Sequence, residues 1–544
     1  MELSLFLFLH LSTLFLSCKK TMLPQSTATT LAIHNTLSAT GDLAMTVATL
    51  RKQNVSDSIV YQTTDLGGGT WKYDPLDKTS PDNTGTVLVA AGNKRLKRIF
   101  QGAINVRWFG ATGDGISDQT AFLNLALAAS HTQKKDLYIP GGTYLCNQLD
   151  PNHHILFFDA ANTNNQTIYG DGPSSRITTS VATNSVLLYV RAYSSCTNLT
   201  LKSLFLESTH SLTNQYTEGL FLQGNWAQYL AETLVTECVF EGFSTAIGCQ
   251  GLNGISISTN TFGAPKGHDN AENNTKPAVF IWLFDNTNGY CSNISIMNNV
   301  ASGYTGTDAI TALTTKRPMD GFIYGTGYGY VISGNVTSNF SEEHIAIAPP
   351  ESFPHLLKPI LIAGNVLDGS IPKGAMNPDG SPHTSNYGIR CDAGNTVIDK
   401  NTLNNFTQGI MIRTTNYPQL SEGLFMITSN ILNAAGYQDG LQVHNAISVQ
   451  GSLANRLHNI SIEHNVINVP NSSTLNGFNG ILVYDTDTAF VSNNTITVGT
   501  LLAPKNINSY GRNFGRVKMI TDKNNTVKGI LPHNAIAASD QVLF

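Results

Sequence analysis

The sequence predicts an all-β protein built as a solenoid of stacked coils, and two observations carry that prediction. The first is a short apolar line that ends in asparagine and keeps returning. It reads Ile255-Ser-Ile-Ser-Thr-Asn260, Ile294-Ser-Ile-Met-Asn-Asn299, Tyr330-Val-Ile-Ser-Gly-Asn335 and Ile360-Leu-Ile-Ala-Gly-Asn365. It continues as Val397-Ile-Asp-Lys-Asn401, Phe425-Met-Ile-Thr-Ser-Asn430, Ile460-Ser-Ile-Glu-His-Asn465 and Phe490-Val-Ser-Asn-Asn494. Successive asparagines lie 39, 36, 30, 36, 29, 35 and 29 residues apart. A period of this size with short alternating strands means coils that each bury apolar side chains against the next. An asparagine fixed at one turn can then stack on its neighbours and bond the backbone above and below, a structural role. The second observation is composition. Only 13% of the 544 residues are charged, 47 are glycine, and Asn and Thr are frequent, which suits tight turns and short strands. The formal charge of -5, without a basic patch interleaved with aromatics, argues against a nucleic-acid partner.

In chain order, Leu3 to Ser17 comes first, an apolar run too short for a comfortable membrane span, with Cys18-Lys19-Lys20 after it. Leu16-Ser17-Cys18 resembles a bacterial lipobox. The resemblance implies that 1–17 is a lipoprotein signal peptide and that Cys18 is the lipidated first residue of the mature chain. Glu2 and His10 depart from the usual pattern, and a plain cleaved signal is the alternative. Either way the chain is expected to be exported, as a bacterial cell-envelope lipoprotein (periplasmic or cell-surface) or as a secreted protein. It would meet a membrane only through its lipid anchor. Residues 29–104 differ in texture. Asp65-Leu-Gly-Gly-Gly-Thr-Trp-Lys-Tyr-Asp74 and Pro81-Asp-Asn-Thr-Gly85 predict a small β-rich module with glycine turns.

Next comes Asn105-Val-Arg-Trp-Phe-Gly-Ala-Thr-Gly-Asp-Gly-Ile-Ser-Asp-Gln-Thr-Ala-Phe122. Ser117 or Asp118 can cap orphan amides, and Ala121 to Ala129 is rich in Ala and Leu, so a helix is expected. Leu137-Tyr-Ile139 reads as a strand ended by Pro140-Gly-Gly142. A stack of coils exposes raw backbone edges at its ends, and this helix is the expected cover. The segment, with Pro140-Gly-Gly-Thr-Tyr144, resembles the opening of the pectate-lyase-like superfamily, which holds rhamnogalacturonases, polysaccharide lyases, epimerases and phage tailspikes. The resemblance implies a right-handed single-stranded parallel β-helix with an N-terminal capping helix, of about eleven coils over 105–500. It also implies a polysaccharide or oligosaccharide partner. The motif's glycines and aspartates are read as shaping a turn and starting the helix. A short segment precedes the β-helix in many tailspike-like and bacterial relatives, implying a capping or assembly role for 29–104. Trimers are common among tailspikes, so an oligomer enters by analogy.

A second strand follows each asparagine: Gly219-Leu-Phe-Leu-Gln223, Ala278-Val-Phe-Ile-Trp282, Gly321-Phe-Ile-Tyr324 and His344-Ile-Ala-Ile347. It recurs as Gly388-Ile-Arg-Cys-Asp392, Gly409-Ile-Met-Ile-Arg413, Gly440-Leu-Gln-Val-His444 and Gly480-Ile-Leu-Val-Tyr484. Alternation sends Ile389, Cys391, Ile410, Ile412, Leu441 and Val443 inward. It sends Gln223, Trp282, Arg390, Asp392, Arg413, Gln442, His444 and Tyr484 outward, onto a face suited to binding sugar. The repeat fades near Leu501, so 501–544 is expected to be a C-terminal cap. Among the cysteines after Cys18, no pair has zinc-finger spacing, and buried free thiols are expected; a Cys238–Cys249 disulfide is the alternative.

The strongest candidate for chemistry is an acid cluster. Asp320 precedes Gly321-Phe-Ile, and Glu342-Glu343 precede His344-Ile-Ala-Ile347, 22 and 23 residues later. Adjacent coils bring strands to about 4.8 Å, so three carboxyl groups would converge. Such a set suits glycoside hydrolysis, with one carboxyl protonating the leaving oxygen and another activating water or attacking carbon. By position it is similar to galacturonase-type β-helix hydrolases, with Asp320 as the first acid and Glu342 and Glu343 as the pair. The chain departs from that family in carrying Glu for Asp. It also has Asn386-Tyr-Gly-Ile-Arg390 for Gly-His-Gly and lacks an Arg-x-Lys motif. Trp282, Arg390, Asp392, Arg413, His444 and Tyr484 are the expected substrate-binding residues, with no metal site. A polysaccharide lyase is the alternative, with Arg390, Arg413, His444 and Tyr484 in one outward column and Lys316-Arg317 nearby; Ca2+ would be its only candidate cofactor. No compelling Ca2+ loop stands out, and Asp269 and Glu272 read as solvated loop acids. A non-catalytic glycan-binding or adhesin solenoid is the third reading.

Overall fold

The computed structural model describes residues 44–192, 194–210, 216–224, 230–264, 278–285, 290–304, 319–348, 358–370, 387–392, 394–413, 423–433, 444–452, 456–469, 478–499, 510–533 and 541–543. The leader with Cys18, and Asp269, Glu272, Lys316, Arg317, Leu441, Gln442 and Val443, lie outside the described residues.

The first element is a five-stranded sheet with strands Ala44–Met45, Val60–Thr63, Gly69–Asp74, Lys94–Ile99 and Val87–Ala90 in spatial order. Its tight turn at Gly67 and Gly68 needs φ of 73° and 67°, a region open to glycine. Trp71 fills the core of this sheet with Leu50, Leu88 and Leu96. Arg98 clasps the sheet to the turn that carries Trp108. Its guanidinium lies 4.5 Å from the Trp71 ring and 4.6 Å from the Trp108 ring. Its Nε donates to the Gly85 carbonyl at 2.5 Å, and Nη1 donates to that of Gly68.

The motif around Asp114 is structural throughout. Gly113 and Gly115 have φ of 65° and 72°, and Asp114 Oδ1 accepts the amides of Ile116 and Ser117 at 2.9 Å. The Gly113 carbonyl accepts the Thr143 amide at 2.9 Å, and a Cβ on Gly113 would lie 3.1 Å from the Tyr144 ring. The two halves of the motif therefore pack on each other. Neither expected residue is the helix cap: Gln119 holds that position without a side-chain bond, Asp118 Oδ1 one residue earlier accepts the Thr120 amide at 2.9 Å, and the Ser117 hydroxyl turns to Asp114. The helix Thr120–Gln133 buries Leu123, Ala126 and Leu127 against the first strands of the stack.

From Ile104 the chain winds as a right-handed parallel β-helix with three strand positions per coil. The first sheet holds the strand before each repeat asparagine, such as Cys291–Met297; the second holds the short strand after it, such as Val300–Ser302. The third holds the strand after that, such as Val279–Phe284. Among the described residues the second sheet has fourteen strands, more than the eleven coils expected. First and third sheets are continuous where Gly321–Ser333 bends from one to the other at Gly327, whose φ is 147°.

The repeat asparagines form an internal ladder. Each is fully buried or nearly so, and each Nδ2 donates to the next Oδ1 in line from Asn260 through Asn494, at 2.9 to 3.1 Å. The same Oδ1 also accepts the preceding ladder residue's backbone amide. A ninth rung, Asn525, extends it. Parallel stacking thus continues past residue 500, through Tyr510–Gly515, Met519–Lys523 and Thr526–Lys528. Polar residues hide this coil's pattern: Arg512 takes the inward place of Ile481 and pairs with buried Asp522 at 3.0 Å. All six cysteines from Cys146 to Cys391 are free and buried; burial pushes the Cys238 thiol up to about 12.

Candidate functional site

The outer face of the third sheet carries the expected site residues, in an arrangement the alternation rule only partly anticipates. One row runs Trp282, Tyr324, Ala346, Arg390, Met411, Ser448 and Leu482. A second, two residues along each strand, runs Arg413, Gln450 and Tyr484. A third runs Glu343, Tyr387, Gln408 and Asn445. Arg390, Arg413, His444 and Tyr484 therefore do not form one column.

His444 is the clearest correction. It is 3% exposed, pairs with Phe478, and opens the strand His444–Gln450 instead of closing one. Ile447 and Val449 stack on Ile410 and Ile412, the places assigned to Leu441 and Val443. Gly440-Leu-Gln-Val-His and Asn445-Ala-Ile-Ser-Val alternate alike, and stacking on the previous coil decides between them.

The three acids differ in setting and in partners. Asp320 is half-buried; its Oδ2 accepts the Ala278 amide of the preceding coil at 3.0 Å, and Ser341 Oγ lies 3.4 Å from Oδ1. Its carboxylate pins one coil to another. Glu342 is exposed at the turn. Glu343 points the other way along the axis and accepts from Arg390 Nη1 at 2.9 Å. Arg390 in turn donates Nη2 to Asp392 Oδ2 at 3.1 Å and Nε at 3.3 Å. Arg413 Nη2 approaches the same oxygen at 3.7 Å. The structure thus assembles Glu343, Arg390, Asp392 and Arg413 into one network. Its two carboxylates and desolvated guanidinium reinforce one another, and the Arg390 pKa is raised despite burial. Asp392, expected to face outward, follows the strand Tyr387–Cys391 and is only 2% exposed, ion-paired to Arg390 and approached by Arg413.

A shallow surface depression adjoins the network, lined by Tyr324, Ala346, Ile347, Ala348, Arg390 and Asp392. Trp282 sits one coil beyond Tyr324, half-buried, its ring 4.7 Å from that of Phe284. Tyr484 is farther off, and Arg516 lies over its ring at 4.3 Å. Tyr324 and Tyr387 join the site without having been expected there. Tyr324 stands at the strand position that marked Trp282, a signal present in the sequence. Toward the N-terminus the face carries His154, Tyr189, Phe221 and Phe284, stacked ring on ring at 3.9, 5.7 and 5.8 Å. These rings spend their faces on each other and act as an external ladder. Among the described residues no group of three or more His, Cys, Asp or Glu side chains is arranged to hold a metal ion.

This architecture can be set beside known proteins. Residues 103–335 match the family model "Rhamnogalacturonase A/epimerase, pectate lyase-like", and residues 41–101 match "Phage tail protein small four-stranded beta-sheet domain". Among solved structures, the Acinetobacter phage vB_ApiP_P1 tailspike protein superposes with a TM-score of 0.50 at 16% identity, over 72% of this chain and 65% of that one. The enzymatically active domain of bacteriophage CBA120 tailspike protein 2 gives a TM-score of 0.41 at 13% identity, over 88% and 57%. The A-module of Azotobacter vinelandii mannuronan C-5 epimerase AlgE6 gives 0.43 at 15%, over 80% and 97%. The chain spans 57% and 47% of the length of the two tailspike protein 2 chains it matches. The fold defines a right-handed parallel β-helix protein. Its first part, residues 103–335, is similar to the pectate-lyase-like family.

Proposed function

We propose that this protein is an exported enzyme that cleaves a polysaccharide by hydrolysis on the outer face of its third sheet. The observation that supports this most is the Glu343–Arg390–Asp392 network beside a depression floored by Ala346 and Ala348 and flanked by Tyr324. It puts carboxyl chemistry beside a shallow surface flanked by an aromatic ring. Glu343, held as the charged partner of Arg390, is the carboxylate that accepts a proton from water. Exposed Glu342 on the adjoining turn is the acid that protonates the leaving oxygen. Asp320 supports both by fixing the turn before Gly321. Trp282 and Tyr324 orient sugar rings. The lyase reading needs a cation free to neutralise a uronate, and Arg390 is already committed to two carboxylates. The glycan-binding solenoid keeps the same face without the chemistry.

The matched relatives named as tailspikes or epimerases agree with a glycan partner, and the tail-protein match agrees with 41–101 serving assembly, as a trimer by analogy. Lipidation at Cys18 remains part of the export proposal. The test is a screen of the protein against neutral and acidic polysaccharides, reading reducing ends together with absorbance near 235 nm. Reducing ends without the absorbance rise, lost in Glu343→Gln, are expected. A matching absorbance rise would replace hydrolysis by β-elimination, and binding without product would leave the non-catalytic solenoid.

A further inference from the structure

We infer that the sugar seated beside Arg390, Asp392 and Arg413 is recognised through neutral hydroxyl groups and carries no carboxylate at that position. The inference rests on the third-sheet face being the glycan site, and it names the substrate class at that site.

Charge is the first argument. Among the described residues the ion-paired network holds Glu343, Asp392, Arg390 and Arg413, two anions and two cations. The network is neutral and offers an incoming uronate no net positive charge. Its carboxylate would approach two others already present, which costs energy in a partly desolvated site.

Hydrogen-bond inventory is the second. Arg390 spends Nε, Nη1 and Nη2 on Asp392 and Glu343. Two buried atoms of the network are left over, one acceptor and one donor: Asp392 Oδ1 and Arg413 Nε have no hydrogen-bond partner among the described residues. A buried acceptor and donor left unpaired are costly, and at the edge of an open face a ligand group can complete them. A hydroxyl complements both, because it donates to the carboxylate and accepts from the guanidinium; a sugar carboxylate can only accept. The floor is the third argument. Half-buried Tyr324 and Ala348 offer apolar contact to the C–H face of a sugar ring. Arg413 is the movable part. Among the described residues its one ion pair is the 3.7 Å approach to Asp392, and its side chain is 31% exposed, so it yields to let a hydroxyl reach Oδ1.

Affinity electrophoresis of the full chain tests this against gels containing dextran, galactomannan or xylan, and against polygalacturonate or alginate. Retention by at least one neutral polymer is expected, changing less than about twofold up to about 0.3 M NaCl, because hydroxyl bonds are little screened. Asp392→Ala should weaken retention at least about tenfold, whereas Arg413→Gln, which keeps a donor and loses the charge, should cost less than about threefold. Asp392→Asn keeps the size and one acceptor and should lose less than the alanine variant, which preserves a reading if Asp392→Ala misfolds. Retention confined to the polyuronates would overturn the inference. So would a steep fall with salt, or equal losses in Arg413→Gln and Asp392→Ala. Reducing-end release with normal binding by Asp392→Ala would sink this inference alone. Neither release nor retention on any polymer would sink the glycan-face reading with it.

Discussion

Asn401→Ala is the substitution whose cost the ladder fixes best. Asn401 is fully buried. Its Nδ2 donates to the Ile362 carbonyl at 2.8 Å and to Asn430 Oδ1 at 3.0 Å. Its Oδ1 accepts the Asn365 amide at 3.0 Å and Asn365 Nδ2 at 2.9 Å. Truncation does not orphan all four partners. Asn430 Oδ1 keeps the Asn401 backbone amide, and Asn365 Nδ2 keeps the Ile332 carbonyl. The Ile362 carbonyl and the Asn365 amide lose their ladder partner in a space too tight for bulk water. At about 1–3 kcal/mol for each buried group left unsatisfied, the loss is about 2–6 kcal/mol. The comparison is Asn468→Ala. Asn468 is exposed on the second sheet and donates once, to Asn433 Oδ1 at 3.1 Å, so its loss should stay under about 0.5 kcal/mol. Equilibrium urea unfolding followed by tryptophan fluorescence gives the two midpoints. Because coils contact mainly their neighbours, hydrogen exchange should show the damage centred on the coils of Asn365, Asn401 and Asn430. Equal midpoint shifts for the two variants, or none for Asn401→Ala, would refute the claim that interior amides hold the stack.

The same geometry sets three further outcomes. Arg98→Ala should loosen the N-terminal sheet from the first coil by roughly 3 kcal/mol, through loss of two ring contacts and two charged hydrogen bonds; Lys should not restore it, and faster proteolysis near residue 100 would show it. His344 is fully buried between Phe340 and Phe406, and burial depresses its pKa to about 3. Because the unfolded chain binds this proton more readily, the stability His344 contributes is complete above about pH 6.5. It falls by up to about 1.4 kcal/mol per unit toward pH 3, so His344→Phe should flatten the acid limb of a stability–pH curve. Glu343→Gln should cut reducing-end release by about 10²–10⁴-fold in protein that still folds, and equal activity would remove Glu343 from the chemistry.

Much of the architecture is legible because its signals are local and repeated. Asn260 through Asn494 mark one turn in eight coils, and the glycines and aspartates from Gly113 to Asp118 mark the start of the stack. A ladder tolerates little variation, since each rung must present the same amide to the next. Where polar residues interrupt the inward pattern, as Arg512 does, the repeat falls silent and the coil carrying Asn525 reads as a cap.

The site is legible only as a face. Alternation places Trp282, Arg390 and Arg413 on the outer side. It cannot choose between two equally alternating segments around His444, because register is set by apolar contact with the coil below. Nor can it tell that Asp320 bonds backward to Ala278 while Glu343 bonds forward to Arg390. Sequence by itself determined the stack, its asparagine spine and the helix at its opening, since each depends on residues repeated or adjacent in the chain. The tertiary structure decided which charges meet, because Glu343, Arg390 and Arg413 sit on three different coils and only the stacking register brings them together.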